Sequence, residues 1–181
     1  MRVVAFAVGV CAALALTGCT GTSGSGGPET QPPTSAKLSK DQLWDPCSLP
    51  DAVITGAGVD PSSKNPDPVL GDRKDWRLCR WTGKDAQGRL THALLVSSTS
   101  NSLDDFRRNT YFHDFSDVRT GGRAALQFRI GSLNNECEQA FDTSRGVVSV
   151  NYKKVIDSAS TADPCELARQ SAEKIADSLP R

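Results

Sequence analysis

Residues 123–130 read Arg123-Ala124-Ala125-Leu126-Gln127-Phe128-Arg129-Ile130, and the reading of this stretch decides the fold class. Ala124, Leu126, Phe128 and Ile130 fall on one side of an extended chain, with Gln127 and Arg129 on the other. Successive strand side chains point to opposite faces, so the pattern predicts a strand with one face buried and one wet. Downstream, residues 137–141 and 147–152 form a hairpin around Thr143-Ser144-Arg145-Gly146. Upstream, residues 78–81 and 90–98 read as two strands joined through Gly83 to Gly88. Residues 115–119 are a further strand candidate, ending at Gly121-Gly122. Connections this short favour antiparallel pairing.

Helix signals punctuate the strands. In Asp45-Pro46-Cys47-Ser48-Leu49-Pro50-Asp51, Ser48 is read as the cap, Pro50 lies in the first turn and Asp51 is the third residue of a capping box. Gly56 and Gly58 stop that helix, and residues 60–75, rich in proline and small polar residues, read as loop. Ser102 with Asp105 repeats the capping box ahead of a short helix that buries Leu103 and Phe106. The strongest helix opens at Asp163, with Pro164 first and Glu166 third. Its Ala168, Ala172, Ile175 and Leu179 fall on one stripe at spacings of four, three and four. The expectation is an α+β fold, an antiparallel sheet of about five strands packed against two or three helices.

The first eighteen residues have the parts of a secretory signal: Arg2, an apolar run over residues 3–16, and small residues before Cys19. The run is shorter than the roughly 20 residues that a membrane span takes. Leu16-Thr17-Gly18-Cys19 resembles the bacterial lipobox, which implies acylation of the Cys19 thiol and cleavage before it. One acyl chain binds membranes only marginally at about 0.8 kcal/mol per methylene, whereas two or three on one residue anchor stably. Residues 20–40 are Gly-, Ser-, Thr- and Pro-rich and carry little to bury, so they read as a disordered tether. A flexible chain of about twenty residues reaches roughly 25 Å. The expected organisation is a signal peptide at 1–18, a lipidated N-terminus and tether at 19–40, and one domain at 41–181.

Six cysteines less Cys11 and Cys19 leave Cys47, Cys79, Cys137 and Cys165, an even set that implies two disulfides in an exported chain. Long spacings, with no Cys-x-x-Cys and no paired histidines, argue against zinc. Pairing Cys47 with Cys79 and Cys137 with Cys165 would pin a helix start to a strand start in each case. The crossed alternative joins Cys47 to Cys165 at the two Asp-Pro-Cys helix starts. The chain carries 21 basic and 21 acidic residues. It has no basic stripe for nucleic acid and no polybasic segment for anionic lipid.

Asp-Pro-Cys before a helix, Cys79-Arg80-Trp81 on a strand, Gly121-Gly122-Arg123-Ala124-Ala125 before the next, a lone Cys137, and Asp163-Pro164-Cys165-Glu166-Leu167-Ala168 opening the last helix follow the lipobox in order. This order resembles the actinobacterial cell-envelope lipoproteins of unknown function that include LprB and LprC. The resemblance implies a lipid-anchored protein on the extracytoplasmic face of the cell membrane. It supplies no catalytic residues.

Raw material for catalysis is thin. His92 and His113 are the two histidines. Either is a candidate general base for Ser97, Ser98 or Ser116, with Asp114 or Asp117 as orienter, but no Gly-x-Ser-x-Gly elbow supports this. The pairs Asp104-Asp105 and Asp114 with Asp117 read as helix-dipole and turn carboxylates rather than metal ligands. No glycine-rich phosphate loop stands before a helix. Trp81, beside Cys79, is expected in the core; Trp44 and Trp76 are candidates for a contact surface. The expected function is a non-catalytic ligand-binding or protein-interaction module of the envelope, partnered by the membrane and an envelope ligand or protein, with no cofactor or metal. The rival is an envelope hydrolase using His92 or His113. A binding module predicts a groove between sheet and helices without converged titratable groups.

Overall fold

The computed structural model describes residues 37–66, 74–156 and 160–181. The expected signal segment, the expected lipobox with Cys19 and the expected tether up to residue 36 lie outside the described residues. Among the described residues seven strands form one sheet: β1 (Asp60–Pro66), β2 (Trp76–Lys84), β3 (Leu90–Thr99), β4 (Phe112–Thr120), β5 (Arg123–Ile130), β6 (Glu136–Thr143) and β7 (Gly146–Lys154). Their order is β1-β2-β3-β7-β6-β5-β4, and every neighbouring pair is antiparallel. Two meanders, β1–β3 and β4–β7, thus meet at a central β3–β7 seam. The helix α2 (Leu103–Arg108) carries the chain from that seam to the far edge.

The α+β class is as expected, but the sheet has seven strands and not about five. The difference begins at β1, within the stretch read as loop. It alternates exposed and half-buried residues and pairs at Asp60, Asn65 and Pro66 with a register shift between the first two. An edge strand tolerates Pro and needs no apolar face, so it leaves no hydrophobic period to read. At the other edge, β4 is broken by a register shift between His113 and Ser116, with Asp114 at φ 55°. The bulge sets Phe112 and Phe115 on the same side, against Phe128.

Both faces of β5 are packed. Leu126 and Phe128 join Phe106 of α2, whereas Ala125 packs on the opposite face with Ala168, Ala172 and Ile175. Ala124 is exposed. The single buried face expected for this strand is therefore corrected. The unexpected second face, at Ala125, is covered by α3, while the helix over Leu126 and Phe128 lies between β3 and β4 and is only six residues long.

The first helix also differs. Pro46–Ser48 is a lone 3₁₀ turn capped by the Asp45 carboxylate, which accepts from Cys47 N at 3.0 Å. The helix α1 (Asp51–Gly56) starts afresh after Pro50. Ser48 donates to the Asp45 carbonyl instead of capping. The residue before proline is excluded from helical backbone, and Leu49, extended at ψ 132°, separates the two pieces.

The other helices form as their caps dictate. Ser102 and Asp105 make the reciprocal capping box of α2. Asp163 caps α3 (Pro164–Ile175) by accepting from Cys165 N at 2.7 Å. Ala168, Ala172, Ile175 and Leu179 are all buried against Phe141, Val148 and Val150. At Gly121-Gly122 both φ are positive, 57° and 76°, as a type I′ two-residue hairpin requires.

Two disulfides, Cys47–Cys79 and Cys137–Cys165, bring Cα atoms to 5.2 and 4.9 Å. This is the sequential pairing. The first ties the Pro46 turn to β2; the second ties the start of α3 to β6. Trp81 and Trp44 are buried, and Trp76 is half-buried.

Candidate functional site

The helix α3 crosses β6 and β7 but leaves their ends beside β3 open. There a groove of ≈ 490 Å³ runs between the α1 turn and α3, lined by Ala57, Gly58, His92, Tyr152, Gln170 and Lys174 among others. Its volume is that of small-molecule clefts. One wall is Gly56–Gly58, the turn that ends α1. The other is the polar flank of α3, held in place by Ser171 Oγ donating to the Ala57 carbonyl at 3.1 Å.

The floor is a ring pair. His92 and Tyr152 stack with centroids 4.7 Å apart and 15° between planes. The imidazole is packed on its other side by backbone: a Cβ added at Gly83 would stand 2.0 Å from His92 Cε1. His92 Nε2 lies 3.1 Å from the Gly58 carbonyl, which only accepts, so Nε2 carries the hydrogen. Nδ1 lies 3.0 Å from Thr91 Oγ1, and that hydroxyl also reaches the Gly83 carbonyl at 3.2 Å. Thr91 satisfies either protonation state by turning its hydroxyl. Burial holds the His92 pKa below its ordinary value, with the Gly58 hydrogen bond opposing. Burial also pushes the Tyr152 phenol up to about 12. At neutral pH the floor is an uncharged aromatic surface, and Glu173 and Lys174 on the rim supply both charge signs.

Gly83 makes the stack possible, which gives a direct test. Gly83→Ala should displace the imidazole, lower stability by about 1–3 kcal/mol and return the His92 titration toward 6.5, its unperturbed value. Proton NMR titration of His92 reads the shift; an unchanged His92 curve would show that the close approach does not hold the ring.

The remaining sequence candidates do not join this site. His113 Nε2 donates to the Gly131 carbonyl at 2.7 Å, and Nδ1 is 3.3 Å from Asp114. Asp114 also approaches Arg129 at 3.7 Å, and Arg129 pairs with Asp163 at 2.6 Å, so this cluster braces the β4 bulge against the α3 cap. Asp117 pairs with Arg107 at 2.5 Å. Ser98 donates to the Trp44 carbonyl, and Ser97 bonds Ser149 on the opposite face from His92. Among the described residues, neither imidazole has a serine partner. Asp105 is spent on the α2 cap and Arg108.

One titratable group escaped sequence reasoning. Glu138, on β6, is buried on the face opposite α3 beside Asn151, whose Nδ2 lies 3.4 Å from its carboxylate. Burial pushes its pKa up to about 7, and hydrogen bonds from Ser149 and Asn151 pull the other way. Ser97 Oγ and Ser149 Oγ, 2.6 Å apart, extend the chain of hydrogen bonds across to β3. The available signal was a charge inside Cys137-Glu138-Gln139-Ala140-Phe141, a run otherwise without one.

A helix-backed antiparallel sheet, cross-linked twice and carrying an aromatic-floored groove, defines the class: a disulfide-bonded α+β domain with a small-molecule-sized cleft. A family model described as a protein of unknown function (DUF3558) matches residues 14–178, and the chain belongs to that family. No curated protein and no solved structure matches it.

Proposed function

We propose that this protein is a non-catalytic, lipid-anchored binding module of the cell envelope. In this reading residues 1–18 are removed, Cys19 carries the acyl chains, residues 19–40 are the tether, and the domain at 41–181 faces outward from the cell membrane. The resemblance of the ordered motifs to those of actinobacterial lipoproteins that include LprB and LprC supports the address. The observation that carries the binding role is the groove over His92 and Tyr152. It is pocket-sized and polar-rimmed, and its one imidazole is committed to Gly58 and Thr91. A small polar solute fits a cleft of this size, whose uncharged floor and polar α3 flank offer apolar contact and few hydrogen bonds.

Two measurements test the proposal. In a lipoprotein-processing host fed an alkyne fatty acid, the wild-type chain should label and sediment with membranes. Cys19→Ser should do neither, and persistent labelling would overturn the anchor. Native mass spectrometry of the domain from that host should show a retained small molecule that is lost from a Gln170→Ala, Lys174→Glu double variant. Retention unaffected by those changes would place binding elsewhere.

A further inference from the structure

On the sheet face opposite α3, a second and smaller pocket of ≈ 140 Å³ opens beside α2, lined by Trp76, Asn101, Asp105, Phe106, Asn109 and Phe112. It is separate from the groove and shares no residue with it. Three rings meet here at angles. Phe106 lies 5.9 Å from Trp76, tilted 54°, and 6.0 Å from Phe112, tilted 31°. Phe106 is the buried floor, and Trp76 and Phe112 are half-buried walls. Phe112 is braced by stacking on Phe128 at 4.7 Å. Aromatic faces are the negative regions of their rings, and a cation within about 6 Å of a centroid is attracted to them.

The rim narrows the kind of cation. Asp105 stays ionised at neutral pH, its carboxyl held down to about 2 by hydrogen bonds from Ser102 and Arg108. Its oxygens are already engaged, Oδ1 by Arg108 at 2.6 Å and Oδ2 by Ser102 N and Oγ at 2.8 Å. The Asn101 oxygen accepts from Lys37 at 3.2 Å, and the Asn109 oxygen from Tyr111 N at 3.0 Å. An ammonium bearing N–H groups would shed strongly bound water to enter a pocket walled mainly by rings, which is costly. A quaternary ammonium has no N–H to satisfy. The donors at the rim are the Asn101 and Asn109 amide groups, suited to an oxygen a few bonds from the nitrogen.

We propose that the Trp76–Phe106–Phe112 pocket binds a trimethylammonium head group whose neighbouring oxygen is met by Asn101 and Asn109. The pocket admits a head group and little more. Free choline-like solutes and the phosphocholine head of a lipid share this chemistry.

Calorimetric titration of the Cys19→Ser full chain tests it with choline, ethanolamine and the uncharged carbon isostere dimethylbutanol. Choline should bind saturably and at least about fivefold more tightly than either. Trp76→Leu should abolish choline binding, and Trp76→Tyr, which keeps an aromatic face, should retain most of it. Equal affinity for choline and dimethylbutanol would overturn the proposal by showing a merely apolar pocket. So would an absence of saturable choline binding, or binding unchanged in Trp76→Leu. Co-sedimentation with phosphatidylcholine vesicles, reversed by choline, would support it with a lipid as the source. Free choline binding without vesicle binding would support it with a soluble solute.

Discussion

Alanine at both Cys137 and Cys165 should lower the unfolding free energy by about 3.5 kcal/mol and release α3 from the sheet. The disulfide spans 28 residues and fixes the helix start to β6. Closing a loop of that length removes roughly this much chain entropy from the unfolded state. A domain with about 5–15 kcal/mol of total stability feels such a loss. The consequence is directional because α3 forms one wall of the groove. Hydrogen exchange should show α3 amides losing protection before those of β3 and β7. Alanine at Cys47 and Cys79 should cost a similar amount, since its loop spans 32 residues, but should leave α3 protected. Equal protection of α3 in both variants would refute the assignment of this helix to the Cys137–Cys165 cross-link.

Glutamine at Glu138 should stabilise the domain by on the order of 3 kcal/mol at pH 8 and have little effect below pH 4.5. The carboxyl is pushed from 4.5 to about 7 in the fold. Between those values the folded chain keeps a proton that the unfolded chain has released. Stability therefore falls as pH rises through this window, and the full loss is reached above pH 7. Glu136, pulled toward Lys153, adds a like charge on the same strand. A glutamine side chain cannot ionise and still offers an oxygen to Ser149 or Asn151. Urea denaturation at pH 4, 6 and 8 should give a sloping series for the wild type and a flatter one for Glu138→Gln. Destabilisation of Glu138→Gln at pH 8 would mean that the fold favours the carboxylate and that burial is not the ruling influence.

Legibility from sequence followed how local each signal is. Asp163-Pro164 and Ser102 with Asp105 make their caps within four residues, so both helix starts could be read directly. The cysteine pairs were legible for a related reason: each closes a loop within one half of the chain. The strand β1 was not, because an edge with a polar alternation has nothing to bury. Nor were the two packed faces of β5. Ala125 is too small to announce a second buried side, and the helix over Leu126 and Phe128 is only six residues long. Pro50 misled because the proline tolerated inside a first turn also forbids helical backbone at Leu49. The groove brings His92, Tyr152 and Lys174 together from β3, β7 and α3, and no local pattern joins them. Glu138 was hidden by the general expectation that a strand glutamate faces water.

The central seam orders events in time. His92 pairs with Lys154 and Thr99 with Val147, so the middle of the sheet waits for the seventh strand to be synthesised. Pairing so distant in sequence is slow to nucleate. Until that strand is in place, β1–β3 and β4–β6 are separate sheets with unsatisfied edges, and the core between them cannot close. The Cys47–Cys79 pair, by contrast, is complete well before that strand is made, whereas Cys165 follows it, so the two cross-links close at opposite ends of the process.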